Sequence, residues 1–240
     1  TGLYASEVGT HSKNRTLLDT GTNLAAQLSE AGYTTRGLTA NWTVAPEWDF
    51  DRGFDDYRYT LNQSDWKNFV DNDAHVVSRY PAFFIRALTA KDTTQVLWEG
   101  FREAISKRWF NRYFDSGARR IHATIQRLDF ESPEFLFLNF MEVHSPSSPP
   151  AAYLSGKPAS LHSFRDTASG PSDDPSVIRA AYNDAARYLS DQYREIHATL
   201  EEQFDIIITV SDHGEAYGEY GIWGHPPALN PDITRIPFVI

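Results

Sequence analysis

The chain has 240 residues, with 22 Lys+Arg against 32 Asp+Glu and a formal net charge of −10. Apolar residues at 41% and aromatics at 14% exclude a disordered chain, and the acidic balance excludes the basic footprint of a general nucleic-acid binder. No run approaches the roughly 18 apolar residues of a membrane span, and the absence of cysteine removes disulfides, thiolate metal sites and a cysteine nucleophile from these residues.

Only five of the basic residues are lysines, Lys13, Lys67, Lys91, Lys107 and Lys157. A surface rich in Asp and Glu but poor in Lys suits a protein that stays hydrated in concentrated salt, which points to a halophilic source. Thr1-Gly2-Leu3-Tyr4 carries neither an initiator Met nor a targeting segment, and Ile236 to Ile240 reads as a strand cut short. The expectation is a partial domain over 1–240, truncated at both ends, with its localisation left open.

The first helix is expected from Thr22 to Ala31. Leu24, Ala25 and Leu28 give it an apolar face, Thr22 can cap its start and Gly32 can end it. Tyr33 to Asn41 then reads as a short strand and turn. From 51 to 130 the sequence turns to long, aromatic-rich, mixed-charge segments, including Val96 to Phe114 and Gly117 to Leu128. A block of helices without intervening strands predicts a helical insertion over an α/β core.

Phe135 to Met141 is a near-continuous apolar run, the pattern of a strand buried on both faces. A Pro/Ser/Gly-rich stretch over 145–173 predicts a loop. Asp174-Pro175 then supplies an N-cap and an N1 proline. Ile178, Tyr182, Ala185, Leu189, Ile196 and Leu200 recur at helical spacing for about 25 residues. Phe204 to Val210 reads as a second fully buried strand. Helix followed by buried strand, repeated, predicts a mostly parallel central sheet with helices on both faces.

Ligands of open α/β sheets bind beyond the carboxyl ends of the strands, and both apolar runs end in groups that can do chemistry. The later one ends in Ser211-Asp212-His213-Gly214-Glu215, where an anionic oxygen and an imidazole stand side by side for one cation. The earlier one delivers His144, in Val143-His144-Ser145-Pro146. A third imidazole, His225, stands in Trp223-Gly224-His225-Pro226-Pro227. Three histidines at one sheet edge suit an anionic ester, whose oxygens they can bind and whose leaving group they can protonate. His11, His75, His122, His162 and His197 lack this placement and are read as structural or exposed.

The order Ser211-Asp212-His213-Gly214-Glu215, Gly218-Glu219, Gly224-His225 and Thr234-Arg235-Ile236-Pro237-Phe238 resembles the C-terminal half of the sulfatase core in the alkaline phosphatase superfamily. Phe137 to Pro150 is similar to that family's histidine–proline turn. Thr1-Gly2-Leu3-Tyr4, Leu24 to Tyr33 and Asp51-Arg52-Gly53-Phe54-Asp55 also look like sulfatase sequence in the right order.

The resemblance implies an alkaline-phosphatase-like three-layer α/β sandwich. It implies one divalent ion, usually Ca2+, with Asp212 and His213 matching the later ligand pair. His144 and His225 match the groups that contact the sulfate or its leaving oxygen, and Arg235 matches a supporting or packing arginine. It also places the family's nucleophile, in a Cys/Ser-x-Pro-x-Arg motif, and an earlier Asp-Asp pair just upstream of Thr1. These 240 residues alone are therefore expected to be inactive.

The Gly-Lys-x-His-Leu segment of many arylsulfatases is missing, and Thr35 to Asn41 stands in that region. This leaves a phosphodiester or phosphonate hydrolase, or a phosphoglycerol transferase, open on the same scaffold, with Zn2+ or Mn2+ in place of Ca2+. A non-catalytic relative kept as a binding module is the third reading. The expected partner is a sulfated small molecule or glycan, with no nucleic acid, no membrane span in these residues and no oligomeric state assigned. Sequons at Asn14, Asn41 and Asn62 are read as chance, since nothing marks the chain for export.

Overall fold

A computed structural model describes residues 7, 23–60, 116–131, 133–144, 147, 149–156, 174–226 and 229–240. All of these belong to one of the chain's two units, residues 1–60 together with 115–240. Helix α1, Leu24–Glu30, starts at Asn23, whose side-chain oxygen accepts from the Ala26 amide at 2.8 Å. The cap is therefore Asn23 and not Thr22, which lies outside the described residues. Asn is as good a cap as Thr, and the Asn23 amide also donates to the Arg52 carbonyl at 2.8 Å. The helix ends as expected, with Gly32 at φ 90°.

The chain then runs into strand β1, Thr34–Thr39, the middle of a three-stranded parallel sheet ordered β2-β1-β3, with β2 at Asp56–Tyr59 and β3 at Glu134–Asn139. The registers run Arg36 to Thr39 against Asp56 to Tyr59, and Thr34 to Thr39 against Glu134 to Asn139. Being central, β1 buries polar groups that must be bonded. Thr35 Oγ1 donates to Asp55 and Gly53 at 3.0 and 3.1 Å, and Thr39 Oγ1 meets Asn139 Oδ1 at 3.2 Å. Arg36 ties the β1–β3 pair with a 3.1 Å bridge to the buried Glu134 carboxylate.

Strand β2 and helix α2, Ala118–Ile125, both fall inside the 51–130 segment expected to be a helical insertion. Both belong to the α/β unit, because strand pairing and the burial of Ile121 and Ile125 outweigh the mixed-charge composition there. The rest of that segment, including Val96 to Phe114, and most of the 145–173 loop lie outside the described residues.

Helix α3, Pro175–Leu200, begins with Asp174 accepting from the Ser176 amide at 2.8 Å and with Pro175 in the first turn, as the sequence predicts. Its buried face carries Ile178, Ala181, Ala185, Tyr188, Ile196 and Leu200, and it packs on α2. Tyr182 and Leu189 are only half-buried, so the stripe is shifted by a fraction of a turn from the expected one. Asp184 sits in that face because it has partners. It accepts from the Ser155 amide at 2.7 Å and hydroxyl at 3.0 Å, and it pairs with Arg187.

Burial alone would raise the Asp184 pKa. The hydrogen bonds from Ser155 and the Arg187 charge outweigh it and hold the carboxyl below its ordinary value. A depressed carboxylate stabilises the fold above the unfolded-state pKa and loses that contribution as pH falls through the folded value. Asp184→Asn is expected to shallow the fall in stability on acidification below about pH 4. Denaturant midpoints taken between neutral pH and about pH 2.5 check it, and parallel acid limbs for the two proteins would contradict it.

Both apolar runs are less covered than their composition predicts. Strand β3 is half-buried, with Phe137 36% exposed, because among the described residues it pairs with β1 on one edge only. Phe204 to Val210 yields only the two-residue strand β4, Thr209–Val210. Its antiparallel partner is β7, Phe238–Val239, and Ile206, Ile208 and Val210 are 69%, 55% and 54% exposed. Apolar composition records what a segment can bury, whereas burial needs a neighbour on each face.

Candidate functional site

Three chain segments bring histidines to one place. The first leaves β3 through Asn139 and turns at Met141, with the His144 amide bonded to the Met141 carbonyl at 3.2 Å. Between them Glu142 is 3% exposed and accepts from the Ala118 amide at 2.7 Å and the Met141 amide at 3.1 Å. Ala118 opens α2, whose N-cap Gly117, at φ 131°, supplies no side-chain cap. The Glu142 carboxylate takes that role and meets the positive end of the helix dipole. It thereby fixes the loop that carries His144.

The second segment leaves β4 through Ser211-Asp212-His213. Gly214 is required there for space, since a Cβ would lie 2.0 Å from the Asp232 carbonyl oxygen. Its amide donates to the Ile233 carbonyl at 2.7 Å, which pins the segment to the short helix α4, Pro231–Thr234. The third segment is a hairpin of β5, Ala216–Tyr217, with β6, Trp223–Gly224. Ala216 pairs with Gly224, so the residues just outside that rung, Glu215 and His225, face each other across the hairpin end. Helix α3 braces this hairpin: Arg179 donates to the Tyr217 carbonyl at 2.9 Å and to Glu219 at 3.0 Å, and Tyr182 packs on Tyr217.

The result is a cluster of His144, His213 and His225 whose ligating nitrogens all lie within 4.8 Å of one another. The His213 and His225 rings stack at 4.2 Å and 25°, and the His144 ring stands edge-on to them at 6.2 and 5.0 Å respectively. Two tautomers follow from the partners, because carbonyl and carboxylate oxygens accept and do not donate. His213 Nδ1 lies 2.8 Å from the Gly214 carbonyl and therefore carries hydrogen. His225 Nδ1 lies 3.2 and 3.3 Å from the two oxygens of Glu215, whose side chain is 7% exposed, and it donates likewise. In the neutral tautomer of either ring these partners place the lone pair on Nε2.

The sequence singled out His144, His213 and His225, and all three meet. Asp212 is adjacent but more peripheral. Its side chain is 76% exposed, with one oxygen 3.8 Å from His213 Nε2 and the other accepting the His213 amide at 3.0 Å. Glu215 and Glu142 were not singled out for a role. Glu215 is inside the recognised motif, but its pairing with His225 needs the hairpin register. Glu142 shows no signal beyond standing two residues before His144. Of the other histidines, His122 and His197 sit on helices beside Gln126 and Glu201. His11, His75 and His162 lie outside the described residues. Arg235 caps α4 through its amide and shows no bond to the cluster.

Asp212 and His213 also border an open concavity of about 610 Å3, otherwise walled mainly by Pro226, Leu229, Ile233 and Ile236. Ca2+ takes six to eight oxygens. Toward such a set Asp212 would supply one carboxylate and His213, its neighbour, one imidazole nitrogen. Among the described residues no helix is long and apolar enough to cross a membrane.

No curated protein matches the chain. The family model for sulfatases, in contrast, matches it from residue 1 to residue 240. The cluster of imidazoles at strand ends and the match along the whole sequence lead to one conclusion: the chain belongs to the sulfatase family, hydrolases on an alkaline-phosphatase-like α/β fold.

Proposed function

We propose that this chain forms the histidine-bearing part of the active site of a sulfuric ester hydrolase. The observation that carries the proposal is the convergence of His144, His213 and His225 at strand ends within one anion's reach. A sulfate ester presents three charged oxygens and a bridging oxygen. Protonated imidazoles can donate to the former, and a positioned imidazolium can protonate the latter.

In the proposed reaction a nucleophile from outside these residues attacks sulfur. A new bond to sulfur forms as the bridging S–O bond breaks, and the bond's electron pair goes to the alcohol oxygen. That oxygen takes a proton from His225 or His144. Glu215 holds the His225 ring by its Nδ1–H, so Nε2 is the atom that gives and recovers the proton. Asp212 and His213 are the pair proposed to hold a divalent ion, which when bound would neutralise charge on the sulfate oxygens.

A sulfate and a phosphate ester of the same aryl alcohol test the reading. In the active enzyme, kcat/KM for the sulfate is expected to exceed that for the phosphate by at least about tenfold, or about 1.4 kcal/mol of transition-state discrimination. The reverse ratio would assign the site to phosphoryl transfer. Failure to hydrolyse either ester would make the chain a non-catalytic relative.

A further inference from the structure

The concavity beside the histidine cluster bears on what the other half of the ester must be. We infer that it takes the alcohol part of the substrate, and that this part is apolar, an alkyl or aryl group rather than a sugar. The inference rests on the proposed hydrolysis, whose sulfate it leaves at the imidazoles.

The lining carries the argument. Asp212 and His213 stand at one end, and the remaining wall is Pro226, Leu229, Ile233, Thr234 and Ile236. Of these five only Thr234 has a polar side chain, and its hydroxyl donates to the Asn230 carbonyl at 3.0 Å. The charged and ring-nitrogen groups are thus confined to the sulfate end, and the other side chains offer apolar contact. A sugar brings several hydroxyls, and those facing such a wall would lose water without gaining side-chain partners. An alkyl or aryl group gains from the same wall roughly in proportion to the area it covers. The volume, about 610 Å3, falls in the range of small-molecule sites.

Position and rigidity suit the same role. His213 stacks on His225 with ring centroids 4.2 Å apart, so a sulfate bound at the imidazoles has its alcohol beside the concavity. The wall is held against the cluster through the backbone. The Gly214 amide donates to the Ile233 carbonyl at 2.7 Å, an approach of α4 that a side chain at Gly214 would block. Asn230 starts α4 by accepting from the Asp232 amide at 2.6 Å. Leu229 and Ile236 are 98% and 40% exposed, and an apolar alcohol would cover that surface.

Binding tests the site without turnover. Alkanesulfonates present a sulfate-like anion on a carbon–sulfur bond, with no ester oxygen to release. By calorimetry the 240-residue chain is expected to bind them about two- to fourfold tighter per added methylene, from methanesulfonate to hexanesulfonate. The sugar analogue 6-deoxy-6-sulfoglucose is expected to bind no tighter than methanesulfonate. Leu229→Ser and Ile236→Ser are expected to flatten the rise, with the fold intact by circular dichroism because both positions are exposed.

Affinity that fails to rise with chain length would overturn the inference, as would tighter binding of the sugar sulfonate than of hexanesulfonate. A rise left unchanged in both serine variants would put the alkyl chain elsewhere and overturn it too. Kinetics of the active enzyme separate this site from the reaction. Equal kcat/KM for methyl and hexyl sulfate would remove the apolar site and leave the hydrolase standing. Hydrolysis failing throughout, while the sulfonates keep their chain-length trend, would remove the reaction and leave a site for apolar anions.

Discussion

Replacing Glu142 by alanine is expected to lower stability by about 2–4 kcal/mol, a Tm drop of about 4–16 °C for a chain of this size. The magnitude follows from what the carboxylate holds. It is 3% exposed, accepts two backbone amides, and caps the start of α2, where Gly117 has no side chain to do so. Hydrogen bonds to a charged group contribute about 1.5–3 kcal/mol, and loss of a helix cap about 1 kcal/mol. The Ala118 amide would be left buried and the Met141 amide part-buried without this acceptor, while the deleted side chain leaves a void.

Glu142→Gln keeps one acceptor oxygen and is expected to cost about 1 kcal/mol. A second readout separates this residue from an ordinary cap. Glu142 links the start of α2 to the turn that carries His144, so Glu142→Ala is also expected to weaken inorganic sulfate binding measured by calorimetry. Gly117→Ala makes a poor control, since its Cβ would lie 2.5 Å from that of Ala40. Thermal melts of Glu142→Ala within about 1 °C of wild type would sink the argument.

The local signals in the sequence carried well where chemistry is local. Asp174-Pro175 started a helix of 26 residues within one residue of expectation, and Gly32 ended another, because caps and φ preferences act within a turn. The three site histidines were legible for a related reason. Each follows a strand or hairpin end, where side chains with chemistry are expected, although β3, β4 and β6 belong to three separate sheets among the described residues.

Pairing across the fold was not legible. Phe204 to Val210 has the composition of a buried strand, yet exposure of Ile206 and Ile208 depends on which neighbours cover them. Asp56 to Tyr59 reads as part of a mixed-charge block, with Asp56 and Arg58 bonded to each other, and only the register with β1 makes it a strand. Glu142 and Glu215 act through partners 24 and 10 residues away, a separation that no periodicity encodes.

The largest functional effect is expected at His225. In the active enzyme, His225→Ala should lower kcat for an alkyl sulfate by about 10²- to 10⁴-fold, the range for loss of a general acid. The loss should shrink for a nitrophenyl sulfate, whose leaving oxygen needs little protonation. A residue that only bound the anion would lower both substrates equally and would act mainly on KM. His144→Ala run on the same pair decides which imidazole meets the bridging oxygen, since the sensitivity to leaving group belongs to that one alone.

Glu215→Gln provides the graded case. It keeps an oxygen that can accept the His225 Nδ1–H but removes the charge, so kcat is expected to fall about 10- to 100-fold with the same leaving-group trend in weaker form. His197→Ala, on α3 beside Glu201, should leave both substrates unchanged. If His225→Ala and His144→Ala both turned over alkyl sulfate at the wild-type rate, neither imidazole would be the acid. The cluster would then be left with binding as its role.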